Sequence, residues 1–105
     1  MQYARIGVYQ VKPDSTIIID KVIRTSQTGL LPILRNQPGF VSYGQVKTGQ
    51  DSVISISFWQ SRQQAEAAVQ LIASWVKDNF PDLSESVQNY VGEVSFFTSA
   101  VPIGS

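Results

Sequence analysis

One stretch, residues 37–60, constrains the fold of this chain more than any other. It reads Q-P-G-F-V-S-Y-G-Q-V-K-T-G-Q-D-S-V-I-S-I-S-F-W-Q. Its second half alternates strictly. Ile54, Ile56 and Phe58 fall on one face, and Val53, Ser55, Ser57 and Trp59 on the other. A period of two is the signature of a strand with two different surroundings. Residues 40–47 form a second extended segment, joined to residues 53–60 through Thr48-Gly49-Gln50-Asp51-Ser52. Gly49 can supply a positive φ there, and Asp51 and Ser52 can hydrogen-bond their own backbone, so the segment predicts a hairpin.

Helical patterns flank the hairpin, and an extended segment lies beyond each helix. Residues 3–12 alternate with Tyr, Ile and Val until Pro13 ends the strand. Ala4, Ile6 and Val8 form its apolar face; Tyr3, Arg5, Gly7, Tyr9 and Val11 form a mixed one. Asp14 or Ser15 is placed to cap a helix carrying Ile18, Ile19, Val22 and Ile23. The polar run at 24–28 and Gly29 weaken it, and Pro32 predicts a break or kink before a second helical piece with Leu30, Leu31, Ile33 and Leu34. Pro38-Gly39 then turns the chain into the hairpin. Ser61 followed three residues later by Gln64 predicts a capping box. The helix it opens carries Ala65, Ala68, Val69, Ile72, Trp75 and Val76 as its stripe, and Phe80-Pro81 stops it. Residues 82–86 form at most one short turn. Residues 89–98 read as the last strand.

This order predicts an α+β fold: a ferredoxin-like βαββαβ antiparallel sheet, strand order 4-1-3-2, with two helices on one face. Residues 1–98 make one domain, and residues 99–105 a flexible C-terminal tail. The open sheet face would present Ala4, Ile6, Val8, Ile54, Ile56 and Phe58, a stripe too apolar to leave wet. Covering it with a second copy predicts a homodimer.

Composition removes most enzyme chemistries. The 105 residues include neither cysteine nor histidine. There is thus no disulfide framework, thiolate nucleophile, imidazole base or histidine metal ligand. The carboxylates are scattered without calcium-loop spacing, so no metal is expected. Eight basic residues balance eight acidic ones. Nucleic-acid binding through phosphates normally needs a basic excess. Unbroken apolar runs reach only three residues, as in Ile17-Ile18-Ile19, so no membrane span is expected. No signal-peptide pattern opens the chain, which predicts a cytoplasmic location. Residues 39–43 (G-F-V-S-Y) echo an RNA-binding strand motif. That motif belongs on a central third strand, and here it falls on the second, at an edge.

Leu31-Pro32-Ile33-Leu34-Arg35-Asn36-Gln37-Pro38-Gly39-Phe40, then residues 53–62 (V-I-S-I-S-F-W-Q-S-R) and Ala65-Glu66-Ala67-Ala68, resemble the antibiotic biosynthesis monooxygenase family. The matching pattern runs from Tyr3 to Phe97. The resemblance implies a dimeric α+β barrel with a ligand pocket in each subunit between helices and sheet. It also implies oxidation of a small aromatic or quinol-like compound by dioxygen without a cofactor. Some members degrade haem with an Asn-Trp-His set; this chain has no histidine and carries Gly7 and Val8 where that asparagine falls, so haem degradation is rejected. Ser55 stands where a catalytic asparagine would be wanted in strand three.

Candidate groups lie on the mixed face. Arg5 would steady an anionic oxygen, Trp59 stack on an aromatic substrate and Tyr9 orient it, as catalytic residues. Ser55, Ser57, Tyr43, Trp75 and Glu93 would complete the substrate site, with Arg5 and Glu93 paired across neighbouring strands. Each has an ordinary structural alternative: the tryptophans as core, Arg5 with Glu93 as a structural pair, Tyr43 on a sheet edge. The binding alternative for the whole chain is a non-catalytic small-ligand or stress-response barrel using the same pocket.

Overall fold

The computed structural model describes residues 1–84 and 87–98. Chain order is β1 (Tyr3–Gln10), α1 (Ile19–Thr25), a π-helical turn (Ser26–Leu30), α2 (Leu31–Arg35), β2 (Phe40–Gly49), β3 (Ser52–Trp59), α3 (Arg62–Asn79), α4 (Pro81–Ser84) and β4 (Gln88–Glu93). The four strands order as β2-β3-β1-β4, which is the expected sheet read from its other edge, and every pairing is antiparallel. The tail expected at 99–105 lies outside the described residues.

Burial along β3 follows its alternation. Val53, Ser55, Ser57 and Trp59 are buried, while Ile54, Ile56 and Phe58 are only half-buried. The buried set shares one core with Tyr9 of β1, Val22 and Leu34 of the first helical layer, and Ala65, Ala68, Ile72 and Val76 of α3. Helices therefore cover one sheet face. On the other face Ile6 pairs with Ile56, Val8 with Ile54 and Ala4 with Phe58. Val46 and Tyr90 extend that face and stay more than half exposed, at 54% and 57%. β2, which carries residues 40–43, lies at the sheet edge, and Phe40 is turned onto Trp59 with centroids 5.6 Å apart.

Several boundaries differ from the sequence expectation, each for a local reason. The first helix starts at Ile19, with no side-chain cap. The Ser15 hydroxyl instead accepts a bond from the Ile17 N–H and closes a turn before the helix, leaving Ile18 exposed. The interruption expected around Pro32 is present just before it, and a second helical piece, α2, carries the proline in its first turn. The π-helical turn widens the helix just upstream, where a proline would otherwise clash with the preceding turn. Gly49 has no positive φ; Gly39, at +78°, is the only residue among those described that has one. A Cβ at Gly49 would instead lie 3.0 Å from the Ser52 hydroxyl, so close approach explains that glycine. β4 ends at Glu93 because β1 begins at its partner, Tyr3, and the ladder runs out of strand.

The hairpin is set by the turn before it. Gln37-Pro38-Gly39-Phe40 closes with Phe40 N–H donating to Gln37 O at 3.3 Å, proline second and a positive-φ glycine third, as a type II turn requires. The Gly39 carbonyl then accepts from Gln60 N–H at 3.0 Å, tying the turn to the end of β3. Ser61 caps α3 by accepting from Gln64 N–H, but the Gln64 side chain does not return the bond. Its amide lies against the Gly39 α-carbon, and its Oε1 has no hydrogen-bond partner. Gly39→Ala is expected to cost about 2 kcal/mol, from the left-handed backbone and the displaced Gln64 amide, read as a lowered denaturant midpoint with an unchanged slope.

Candidate functional site

The site is built around a missing side chain. Gly7 sits at the centre of β1, with Ser55 of β3 opposite on one side and Asn89 of β4 opposite on the other. Arg5, two residues earlier on the same helix-covered face, lays its guanidinium along the strand into the space above Gly7. A Cβ added to Gly7 would overlap Arg5 Nη2 and touch the Tyr9 ring. From there the guanidinium donates to Ser55 Oγ at 2.9 Å, to the Tyr9 hydroxyl at 2.6 Å and, through Nε and Nη2, to Asn89 Oδ1 at 3.3 and 3.2 Å. Arg5 is 0% exposed. All three acceptors are neutral, and among the described residues no carboxylate lies within ion-pair distance of it. Among the described residues, a charge so placed is solvated by neutral dipoles.

The network continues outward. Ser55 Oγ donates to the Tyr43 hydroxyl at 3.4 Å, and Gln45 Nε2 donates to the same oxygen at 2.9 Å. Burial pushes the Tyr43 phenol above its ordinary value, and neighbouring Tyr9 adds to the rise, against opposing pulls from the Ser55 and Gln45 hydrogen bonds and the Arg5 charge. Tyr43 is therefore neutral at physiological pH. Trp59, 1% exposed, donates its Nε1–H to Ser57 Oγ at 2.9 Å, and Ser57 lies directly across from Arg5.

Three spaces border this cluster. One of about 100 Å³ under α3 is lined by Tyr9, Asn89, Ala73, Val76 and Val87. A nearly closed gap of about 10 Å³ shares Tyr9 and Val76 with it and adds Tyr43 and Trp75. A groove of about 160 Å³ lies beyond Trp59, between α3 and the loop at Gln37 and Pro38.

The structure thus gathers Arg5, Tyr9, Ser55 and Tyr43 into one hydrogen-bonded array, with Trp75 facing Tyr9 and Tyr43 across the gap. Ser57 and Trp59 adjoin it, but Trp59 walls a different space from Tyr9. Glu93 is not part of the site. It stands exposed opposite Tyr3, and the expected Arg5–Glu93 pair is replaced by Arg5–Asn89. The reason is direction: the arginine runs toward Gly7, away from the Tyr3 end. Sequence reasoning missed Asn89, Gly7 and Gln45. The available signal was a glycine flanked at two residues on either side, on one strand face, by Arg and Tyr. Among the described residues no cluster of three or more carboxylates could hold a metal. The array contains no carboxylate to take a proton; it can bind and stabilise a developing negative oxygen.

No protein-family model matches the chain, and no curated protein matches its sequence. Solved structures do match along its length. A protein of unknown function from Nitrosomonas europaea aligns with a TM-score of 0.70 at 16% identity, over 98% of this chain and 96% of that one. The monooxygenase of the ActVA-Orf6 gene of Streptomyces coelicolor, solved with nanaomycin D, aligns at 0.63 and 16%, over 92% of both chains. A variant of SnoaB, a cofactor-independent oxygenase from Streptomyces nogalater, aligns at 0.57 and 14%, over 99% of this chain and 98% of that one. The chain has the fold of these monooxygenases. At such identities the likeness concerns the fold, and residue roles rest on the geometry above.

Two outcomes follow from the array. Gly7→Ala is expected to expel the guanidinium from its seat and destabilise the protein by about 1–3 kcal/mol, measured by denaturant unfolding. The Tyr43 folded-state pKa lies above its unfolded value of 10.0, so its stabilising contribution is complete below that pH and is lost as pH rises through the folded value. Tyr43→Phe should flatten the alkaline decline in melting temperature.

Proposed function

We propose that the chain is a cofactor-independent monooxygenase acting with dioxygen on a small aromatic, quinol-like compound. The observation that carries this reading is the guanidinium of Arg5, sealed beneath the helices with only neutral partners and separated from a space of about 100 Å³ by two of them, Tyr9 and Asn89. Cofactor-free oxygenation needs a substrate that supplies its own electrons, held as an electron-rich anion away from water. One oxygen atom enters the substrate and the other leaves as water, with the electrons and hydrogens drawn from the substrate itself. In this mechanism Arg5 holds the anion electrostatically, Tyr9 and Asn89 touch it, Tyr43 and Ser55 keep the guanidinium in place, and Trp75 walls the adjoining gap. The shared fold with an ActVA-Orf6 monooxygenase and with SnoaB supports the reaction class.

A second reading is binding without turnover. It is favoured by the absence of any carboxylate among the groups contacting Arg5, since the substrate would have to arrive ionised or lose its proton to solvent. In both readings the protein works as a homodimer. Its open sheet face carries six partly buried apolar side chains, Ala4, Ile6, Val8, Ile54, Ile56 and Phe58, flanked by exposed Val46 and Tyr90, and a second copy would cover them.

Oxygen uptake by the metal-stripped protein over a panel of anthrones, hydroquinones and catechols tests the proposal. Turnover well above autoxidation, reduced at least about tenfold in Arg5→Ala and also lowered in Tyr9→Phe, is expected. Uptake at the autoxidation rate throughout, with one panel member raising the melting temperature, would leave the binding reading.

A further inference from the structure

The space beside Tyr9 and Asn89 has a chemical preference that can be read from the charges around it. The guanidinium of Arg5 is fully buried, and every acceptor it reaches is an uncharged oxygen. The two acceptors that also line the space under α3 are the Tyr9 hydroxyl and the Asn89 amide. The remaining lining side chains, Ala73, Val76 and Val87, are apolar and bring no charge. Among the described residues, the ionisable groups that interact with Tyr9 are Tyr43, held neutral by burial, and Arg5 itself. The one ion pair described, Lys47 with Asp20, is on the exposed outside between β2 and α1. The cavity therefore lies in the positive potential of Arg5, behind two neutral relays.

We infer that this cavity is an anion site that takes a single-ring organic acid in its ionised form, phenolate or carboxylate. The Asn89 amide N–H and the Tyr9 O–H are the groups positioned to touch it, and Arg5 supplies the charge from behind. The inference rests on placing the substrate of the proposed function at Tyr9. Size sets the rest of the class. A cavity of about 150 Å³ holds one benzene ring, so about 100 Å³ and the adjoining gap set a single ring as the upper limit and exclude a fused tricycle. A neutral ligand gains nothing from Arg5, whereas an anion supplies the counter-charge that the fold omits. Asn89 is decisive here. An aspartate of the same shape would pair with Arg5 internally and cancel the potential.

Anaerobic titration with 4-nitrophenol reads the effect directly, because its ionised form absorbs in the visible. The bound probe is expected to ionise at a pH lower by about one unit or more than the free probe, a tenfold preference for the anion. Benzoate should displace it, and benzamide, its neutral isostere, should do so at least about tenfold less well. Asn89→Asp should raise the melting temperature and abolish both the ionisation shift and the benzoate preference. Arg5→Met should abolish them with no added carboxylate. Equal displacement by benzoate and benzamide, no binding of either probe, or an unaltered ionisation shift in Asn89→Asp would each overturn the inference. Anion binding lost in Asn89→Asp, together with no oxygen uptake by the native protein, would keep the anion site and remove the oxygenase reading alone.

Discussion

A buried arginine lying over a glycine organises this protein. Arg5 takes its position because Gly7 leaves room above the sheet, and Ser55 and Asn89 flank that room because antiparallel register places both opposite Gly7. Tyr9 closes the far end. Three strands therefore contribute one side chain each, or more, to a single charged group that water does not reach. Burying a guanidinium without a carboxylate is costly, and it is tolerable only when its N–H groups are met by well-placed oxygens. Here four hydrogen bonds meet them. The middle of the sheet is thus committed to holding a charge in place of packing hydrocarbon.

That commitment explains the unusual composition of the inner face. β3 presents Ser55 and Ser57 to the core where a purely structural strand would present branched hydrocarbons, and both are at most 1% exposed. Their hydroxyls serve the two large polar neighbours, Ser55 for Arg5 and Tyr43, Ser57 for the Trp59 indole. Small side chains also leave space, and the cavities beside the cluster occupy it. The helical layer adapts in turn. The π-helical turn holds Leu30 in the core and sets Gly29 against Trp75, where an added Cβ would lie 3.2 Å from the ring. Trp75 can then reach the gap it shares with Tyr9 and Tyr43.

The same sheet offers its other face to solvent with Ile6 against Ile56 and Val8 against Ile54, and with Phe97 packed edge-on against Phe58 at 5.5 Å. One face of the sheet is therefore polar at its centre yet sealed, and the other is apolar yet open. A monomer would normally have these the other way round. The inversion supports the dimer and the inner-face site proposed above.

Much of this was legible in the sequence. Period-two alternation in residues 53–59, the Pro38-Gly39 turn and the Ser61 cap identified the hairpin, its handling of the two faces and the start of α3, because those signals act over a few residues. The inward placement of Arg5, Tyr9, Ser55, Ser57 and Trp59 followed from the same parity. What the sequence left open depended on contacts between distant segments. Whether Arg5 met Glu93 or Asn89 turned on which residue of β4 lies opposite Gly7, a register set some 80 positions away in the chain by how β4 docks after α4. The positive φ assigned to Gly49 belonged to a turn whose strand register ran two residues further than local chemistry indicated. By itself the sequence determined the fold class, the polar face and the exclusion of histidine and cysteine chemistry, because composition and short-range periodicity are local properties. Only the tertiary structure decided that the arginine is buried against Asn89, Ser55 and Tyr9, because its partners are a matter of which distant strands become neighbours.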